Sequence, residues 1–179
     1  MTQFQVDNHI QRVGPGVIIR VMQLADLDQV VAIDKMSFTL PWPTSAFHYE
    51  LLENSQSALW VAGHNIENVS FILGAIVAWF VLDEEHIATL AVHPDYRGNG
   101  IGEALLSVAL KEGVARGCCT ATLEVRATNL IAQRLYQKYH FEIVGRRLHY
   151  YQGNHEDAVI MTLNNLDAEV AQWCDGGER

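Results

Sequence analysis

The sequence predicts a mixed α/β domain with a central, mostly antiparallel sheet and flanking helices. Three observations carry this reading. Short runs rich in β-branched and aromatic residues alternate with stretches of helical period. A glycine-rich turn joins one such strand directly to the longest helix, and 179 residues suit a single core without disulfide or metal staples. Hydrophobic residues make up 49% and charged residues 18% of the chain, with no run apolar enough to span a bilayer.

In chain order, residues 17–22 read as a strand, and Asp26 as the N-cap of a helix whose apolar stripe runs through Leu27, Val30, Val31 and Ile33. Pro41 and Pro43 separate it from a second helix starting at Thr44 or Ser45. Residues 59–62, 72–81 and 86–92 read as strands, then 98–116 as a helix ended by Gly117. Residues 121–127 return as a strand, 130–139 form a helix, and 141–151 and 158–163 close as strands. The strand–helix–strand unit around residue 100 requires one right-handed parallel pairing; the short polar connections elsewhere favour antiparallel neighbours. Residues 1–16 are read as an extension, 17–163 as the domain and 164–179 as a tail dispensable to the core.

A formal net charge of -9 disfavours a nucleic-acid partner, since phosphate binding is driven by clustered Lys and Arg. The start of the chain lacks the apolar stretch of a secretory signal, which predicts a cytoplasmic location and no membrane partner. Cys118, Cys119 and Cys174 read as reduced thiols rather than a disulfide or metal set, and no metal site is expected.

The strongest local signal is Arg97-Gly98-Asn99-Gly100-Ile101-Gly102, between a strand and a helix. Glycines let an anion approach the backbone, the helix N-terminus offers N–H donors and a favourable dipole, and Arg97 adds positive charge. A nucleoside triphosphate loop needs Lys then Ser or Thr after its last glycine; Glu103-Ala104 stands there instead. A dinucleotide fingerprint needs glycine at Glu103, although Glu124 on the next strand is placed to serve as its ribose ligand.

The turn resembles the acetyl-CoA signature of the GNAT superfamily, matched by Arg97, Gly100 and Gly102. Three further passages resemble its ribosomal-protein-alanine N-acetyltransferase branch: Phe38 with Pro41-Trp42, the run from Leu123 to Asn129, and Arg146-Arg147 with Tyr150-Tyr151 ahead of Glu156-Asp157-Ala158. The resemblance implies direct acetyl transfer from acetyl-CoA to the α-amino group of a protein N-terminus or peptide, a ribosomal protein among the acceptors. A small-molecule amine, a lysine side chain and a non-catalytic acyl-CoA-binding domain are the alternatives.

On its own spacing, Glu124 shares a strand face with Thr122 and Arg126, where a carboxylate is costly unless it meets a wet cleft or pairs with Arg126 or Arg97. The resemblance makes it the general base; Glu85 and His86 are the other candidates. Tyr136 lies on an apolar helix face and reads as core by itself; the resemblance makes it the acid that protonates the leaving thiolate. Asn129 suits a helix cap, and the resemblance adds a bond to the pantetheine arm. It likewise implies that the backbone of Leu90, Ala91 and Val92 pairs with that arm and supplies an oxyanion contact. Phe38, Leu40, Pro41 and Trp42 form either a buried plug or, as in the similar enzymes, the rim of an acceptor groove with Tyr150 and Tyr151. His140 departs from the glycine common before Phe141, a position that favours left-handed backbone.

Overall fold

The computed structural model describes residues 11–12, 16–66 and 69–175. The strands are β1 (Gln11–Arg12), β2 (Val17–Val21), β3 (Ser57–Ile66), β4 (Val69–Val81), β5 (Glu84–Val92), β6 (Thr120–Arg126), β7 (Glu142–Tyr151) and β8 (Glu156–Asn164). The helices are α1 (Leu27–Ser37), α2 (Thr44–Leu52), α3 (Ile101–Ala115), α4 (Leu130–Lys138) and α5 (Leu166–Asp175). All the strands form one sheet in the order β1-β2-β3-β4-β5-β6-β8-β7. Among the described residues only β5 and β6 pair in parallel, across the α3 crossover, so the mixed, mostly antiparallel sheet expected from the connections is found.

Two apolar clusters hold the layers together. On one face α1 and α2 bury Val30, Ile33 and Phe47 against Val61, Ile72 and Val77 of the sheet. On the other, α3 buries Leu105, Leu106 and Leu110 against Ile76, Ile87, Leu123 and Met161. The alternation of β6 is strict: Ala121, Leu123 and Val125 point into the α3 cluster, leaving Thr122, Glu124 and Arg126 on the opposite face.

The tail after Leu163 is part of this core, contrary to the expectation that it was dispensable. Leu166 (0% exposed) and Val170 (6%) of α5 are buried in the α3 cluster. Trp173 meets the Tyr139 ring edge-on at 4.8 Å, and the Leu166 N–H donates to the Cys119 carbonyl at 3.0 Å. Of the segment before Val17, Gln11 and Arg12 pair with β2, while residues 1–10 and 13–15 lie outside the described residues. The side chain of Cys174 lies outside them too; Cys118 is buried and Cys119 exposed, both as free thiols.

Local detail departs from the sequence reading at Asp26 and at the start of α3, while His140 keeps the left-handed backbone that its position favours. Asp26 makes no side-chain cap to α1; it sits in a 3-10 turn, accepts the Gln23 N–H at 2.8 Å and pairs with Arg20 at 2.6 Å. Helix α3 starts at Ile101 rather than Gly98, because Gly98 and Gly100 both take φ +77, which breaks helical geometry. His140 adopts the left-handed backbone, φ 61, and its ring pairs with Glu169 of α5 at 2.6 Å.

Candidate active site

The site begins where β5 and β6 part. Their parallel register runs only from Glu84↔Thr120 to Ile87↔Leu123. Immediately after it β5 carries a bulge: Ala78 faces Ile87 but Val77 faces Thr89, so Ala88 is the extra residue. An extra residue bends a strand and reverses its side-chain phase. Past the bulge Ala91 turns to the α1 side and Leu90 and Val92 to the α3 side. The backbone of Leu90, Ala91 and Val92 remains bonded to β4 and has no strand on its β6 side.

A cleft of about 420 Å³ opens there, lined by Leu90, Ala91 and Val92, by Arg97, Gly98, Gly100, Ile101 and Gly102, and by Asn129, Leu135 and Tyr136 of the α4 side. The Ala104 N–H bonds Gly100 O at 3.0 Å, so the N–H groups of Ile101, Gly102 and Glu103 precede the first intrahelical bond and face an anion-sized space. A Cβ built on Gly98 or Gly100 meets nothing within 4 Å; it is the backbone twist, rather than crowding, that calls for glycine. Arg97 donates from Nε to the Val92 carbonyl at 3.0 Å and from Nη2 to Ser37 Oγ at 3.1 Å. Asn99 does not line the cleft, because its amide folds back onto the carbonyls of Tyr96 (3.1 Å) and Arg97 (3.3 Å). The donor set and open wall fit a pyrophosphate and an extended pantetheine arm.

Asn129 caps α4 as read, accepting the Ala132 N–H at 3.2 Å. Tyr136 is buried (7% exposed) beside Phe141 at 5.8 Å. Burial, reinforced by the nearby Tyr151 phenol, pushes its hydroxyl pKa far up. The phenol therefore stands protonated.

Glu124 lies on the α1 side of β6 with both carboxylate oxygens engaged. Oε2 is 3.2 Å from His86 Nε2 and Oε1 is 3.1 Å from Arg147 Nη2, at 14% side-chain exposure. Neither Arg126 nor Arg97, the partners weighed from sequence, is the one observed. His86 reaches Glu124 across the parallel register that sets it beside Thr122. Glu85, one residue earlier, points the other way: it is fully buried against Gly113 of α3, on the opposite sheet face, and is removed from this centre.

The α1 side of this centre is flanked by the loop between α1 and α2 and by the β7–β8 hairpin. Asp34, buried at the end of α1, accepts the Trp42 N–H at 2.8 Å. Trp42 stacks on Trp79 (6.0 Å, 20°) and Trp79 on His86 (5.4 Å, 14°), so the loop is coupled by aromatic contact to the partner of Glu124. Trp42 is thus the plug of that loop, Pro41 and Leu40 are exposed, and Phe38 borders the cleft. Tyr150 lines a second hollow with Trp79, Asp83, Glu84, His86, Glu124 and Arg147. Tyr151 lies under Arg126, whose guanidinium is 3.8 Å from its ring.

Trp79 and the Glu103–Lys138 pair (2.6 Å) at the cleft mouth were not singled out from sequence, and Arg147 stood there only within the Arg146-Arg147 passage, with no role of its own. Alternation along β4 could have put Trp79 on the α1 face; the register shift between Arg147 and Tyr151 leaves no such signal for Arg147.

A single parallel strand pair that parts beside a glycine turn and helix N-terminus is the architecture of the GNAT acetyltransferases. The chain belongs to that family: its residues 27–141 match the Acetyltransferase (GNAT) family. It is an N-acetyltransferase and acetyl-CoA is its donor. Among individual proteins it is 38% identical over 148 residues, 82% of this chain and 95% of the other, to a Bacillus subtilis (strain 168) protein provisionally named a ribosomal protein bS18-alanine N-acetyltransferase. It is 33% identical over 147 residues, 81% of this chain and 95% of the other, to the ribosomal protein bS18-alanine N-acetyltransferase of Escherichia coli (strain K12). The crystal structure of the Escherichia coli ribosomal-protein-S18-alanine N-acetyltransferase superposes with a TM-score of 0.74 at 30% identity, covering 83% of this chain and 94% of that one. Among the described residues no helix is long and apolar enough to cross a membrane, and no group of three His, Cys, Asp or Glu could hold a metal.

Proposed function

We propose that this enzyme acetylates the α-amino group of a protein N-terminus, with a ribosomal protein as acceptor in the cytoplasm. The observation that carries the reading is Glu124: a carboxylate on the acceptor face of β6, beside the point where β5 and β6 part. Acetyl-CoA supplies the acyl group as a thioester. Gly98, Gly100, Gly102 and the free N–H groups of the first turn of α3 hold its pyrophosphate, Arg97 adds charge, and Leu90, Ala91, Val92 and Asn129 align the pantetheine arm. Ile101 closes the floor of that cradle, and Asn99 keeps the turn in shape through its own backbone bonds.

An ammonium is no nucleophile, so Glu124 takes its proton, directly or through one water. A backbone N–H at the end of β5 faces the oxygen on which negative charge develops. The freed amine forms its bond to the thioester carbonyl carbon and the C–S bond breaks; Tyr136, kept protonated by burial, gives its proton to the departing thiolate, and the proton shed by the new amide nitrogen restores the phenol through water. Phe38, Pro41, Tyr150 and Tyr151 border the acceptor's first residues, with Trp42 packed beneath them as the plug, and the choice among acceptors lies with that rim rather than with the shared acyl chemistry. The relatives named above, which act on ribosomal protein bS18 by name, support the acceptor class.

The test is thiol release from acetyl-CoA with peptides bearing free Ala, Ser, Met or Gly N-termini, α-blocked lysine peptides and small amines. Turnover confined to free N-termini, lost about 10²-fold or more in Glu124→Gln with acetyl-CoA binding retained, is the expected result. Turnover of small amines or blocked lysine peptides alone would overturn the acceptor, and full activity of Glu124→Gln would overturn the base.

A further inference from the structure

The two partners of Glu124 are held very differently. His86, on Oε2, is fixed by its stack on Trp79, whose indole Nε1–H donates to the Glu50 carboxylate at 2.9 Å and which stacks in turn on Trp42. Arg147, on Oε1, is 53% exposed and comes from β7, the outermost strand, at a break in its register with β8. Beyond Glu124, its guanidinium meets the Tyr150 ring more loosely, at 5.3 Å. One oxygen therefore has a built-in partner and the other a detachable one.

A guanidinium at Oε1, 3.1 Å away, occupies that oxygen and repels a second cation approaching the same group. An acceptor amine reaches the site as an ammonium. With His86 pinned, the ammonium gains Glu124 by exchanging with Arg147. Replacing one cation by another leaves the half-buried carboxylate compensated throughout, whereas losing Arg147 first would strand it. A compact ammonium with three donors also fits one oxygen, where the planar guanidinium has a free fork to offer solvent.

We propose that Arg147 is an intramolecular competitor for the acceptor: it occupies the place of the acceptor's ammonium on Glu124 Oε1 and is displaced when the acceptor binds. This rests on Glu124 as the acceptor-side carboxylate. It makes Arg147 a residue that weakens acceptor binding, opposite in sign to an arginine that grips a peptide.

The test is the Kd of a fluorescent peptide with a free N-terminus, measured by anisotropy in the presence of CoA, with acceptor KM alongside. Arg147→Gln is expected to lower Kd and KM by about fivefold, the scale of a partly exposed ion pair, with the KM for acetyl-CoA unmoved. In the presence of Glu124→Gln, the same Arg147 substitution is expected to leave Kd unchanged, since a neutral amide does not hold the guanidinium. Arg147→Ala, measured the same way, guards against an effect peculiar to glutamine. A Kd that rises or stays level in both variants, or that falls equally with Glu124→Gln present, overturns the proposal. If small amines rather than peptides are turned over, the acceptor class above fails, and the same KM comparison on the amine that is used still decides the role of Arg147.

Discussion

Arg126 lays its guanidinium 3.8 Å over the Tyr151 ring while its Nη1 lies 2.9 Å from Glu156 Oε2. Its Nη2 donates to Thr39 Oγ1 at 2.6 Å, so one side chain ties the end of β6 to the β7–β8 hairpin and to the α1–α2 loop. Glu156 closes the network by accepting the Thr128 hydroxyl (2.6 Å) and N–H (3.0 Å). Those bonds from Thr128, helped by Arg126 and Asn154, hold the Glu156 carboxyl down to about 2. A depressed carboxylate contributes stability above its ordinary value, near 4.5, that drains away as pH falls towards 2. Glu156→Gln is expected to cost about 2 kcal/mol at pH 7, the worth of charged hydrogen bonds, and to flatten the acid limb of a Tm-versus-pH curve between those limits. An unchanged acid limb would show that the network does not operate in solution.

Burial pushes the Tyr136 hydroxyl pKa up, so the phenol stands protonated; in the proposed acid role it gives that proton to the thiolate and is reprotonated before the next turnover. Tyr136→Phe is expected to lower kcat by about 10²-fold, the lower range for a positioned acid, with little change in the KM for acetyl-CoA because the ring still fills its place. In the wild type the kcat profile should show no tyrosine limb through the alkaline range. A Phe variant of full activity would move the acid role to water.

Much of the site was legible because its signals are local. Glycines at Gly98 and Gly100 announce backbone that other residues resist, and strict alternation along β6 sends Glu124 away from Leu123 and Val125. Asn129 caps where a cap was read. What stayed hidden depends on register and tertiary contact. The Ala88 bulge has no glycine to mark it, yet it turns Leu90 and Val92 toward α3 and opens the cleft. The pairing of Glu124 with Arg147 bridges non-adjacent strands, and Glu85 and His86 look equivalent until the sheet assigns them opposite faces. Helix α5 was missed because Leu166 and Val170 are sparse apolar marks among acidic residues, and only docking on α3 makes them core.

That docking has a cost if removed. Leu166 is fully buried between α3 and the start of α5, so Leu166→Ala is expected to destabilise by about 2–5 kcal/mol, the range for a buried leucine truncated in place. Ending the chain at Asn165 would remove Leu166, Val170 and Trp173 together and bare the flank of α3. Thermal unfolding of the point variant gives the magnitude, and a truncated chain that kept the wild-type Tm would restore the tail to dispensable status.

Glu85 and Gly113 share a space that fits only one of them at full size. Glu85 is fully buried on β5, neither of its carboxylate oxygens finds a hydrogen-bond partner, and a Cβ on Gly113 would fall on Oε2. Gly113→Ala should therefore destabilise by about 1–3 kcal/mol, as overpacked cores do. In the presence of Glu85→Ala the obstruction is gone; Leu166 Cδ2, at 3.1 Å, can turn aside, and the added methyl contributes up to about 1 kcal/mol of helix propensity. The sign of the Gly113→Ala effect is expected to reverse between the two backgrounds. Burial, with the Glu112 charge nearby, pushes the Glu85 carboxyl well above its ordinary value against a smaller opposing pull from Arg116. A raised carboxyl favours the fold at low pH, and that contribution is lost as pH rises through the folded value. Glu85→Gln, which cannot ionise, should match the wild type near pH 4 and exceed its Tm at pH 8. Parallel Tm curves across that range would mean that Glu85 finds solvent or a partner on ionising.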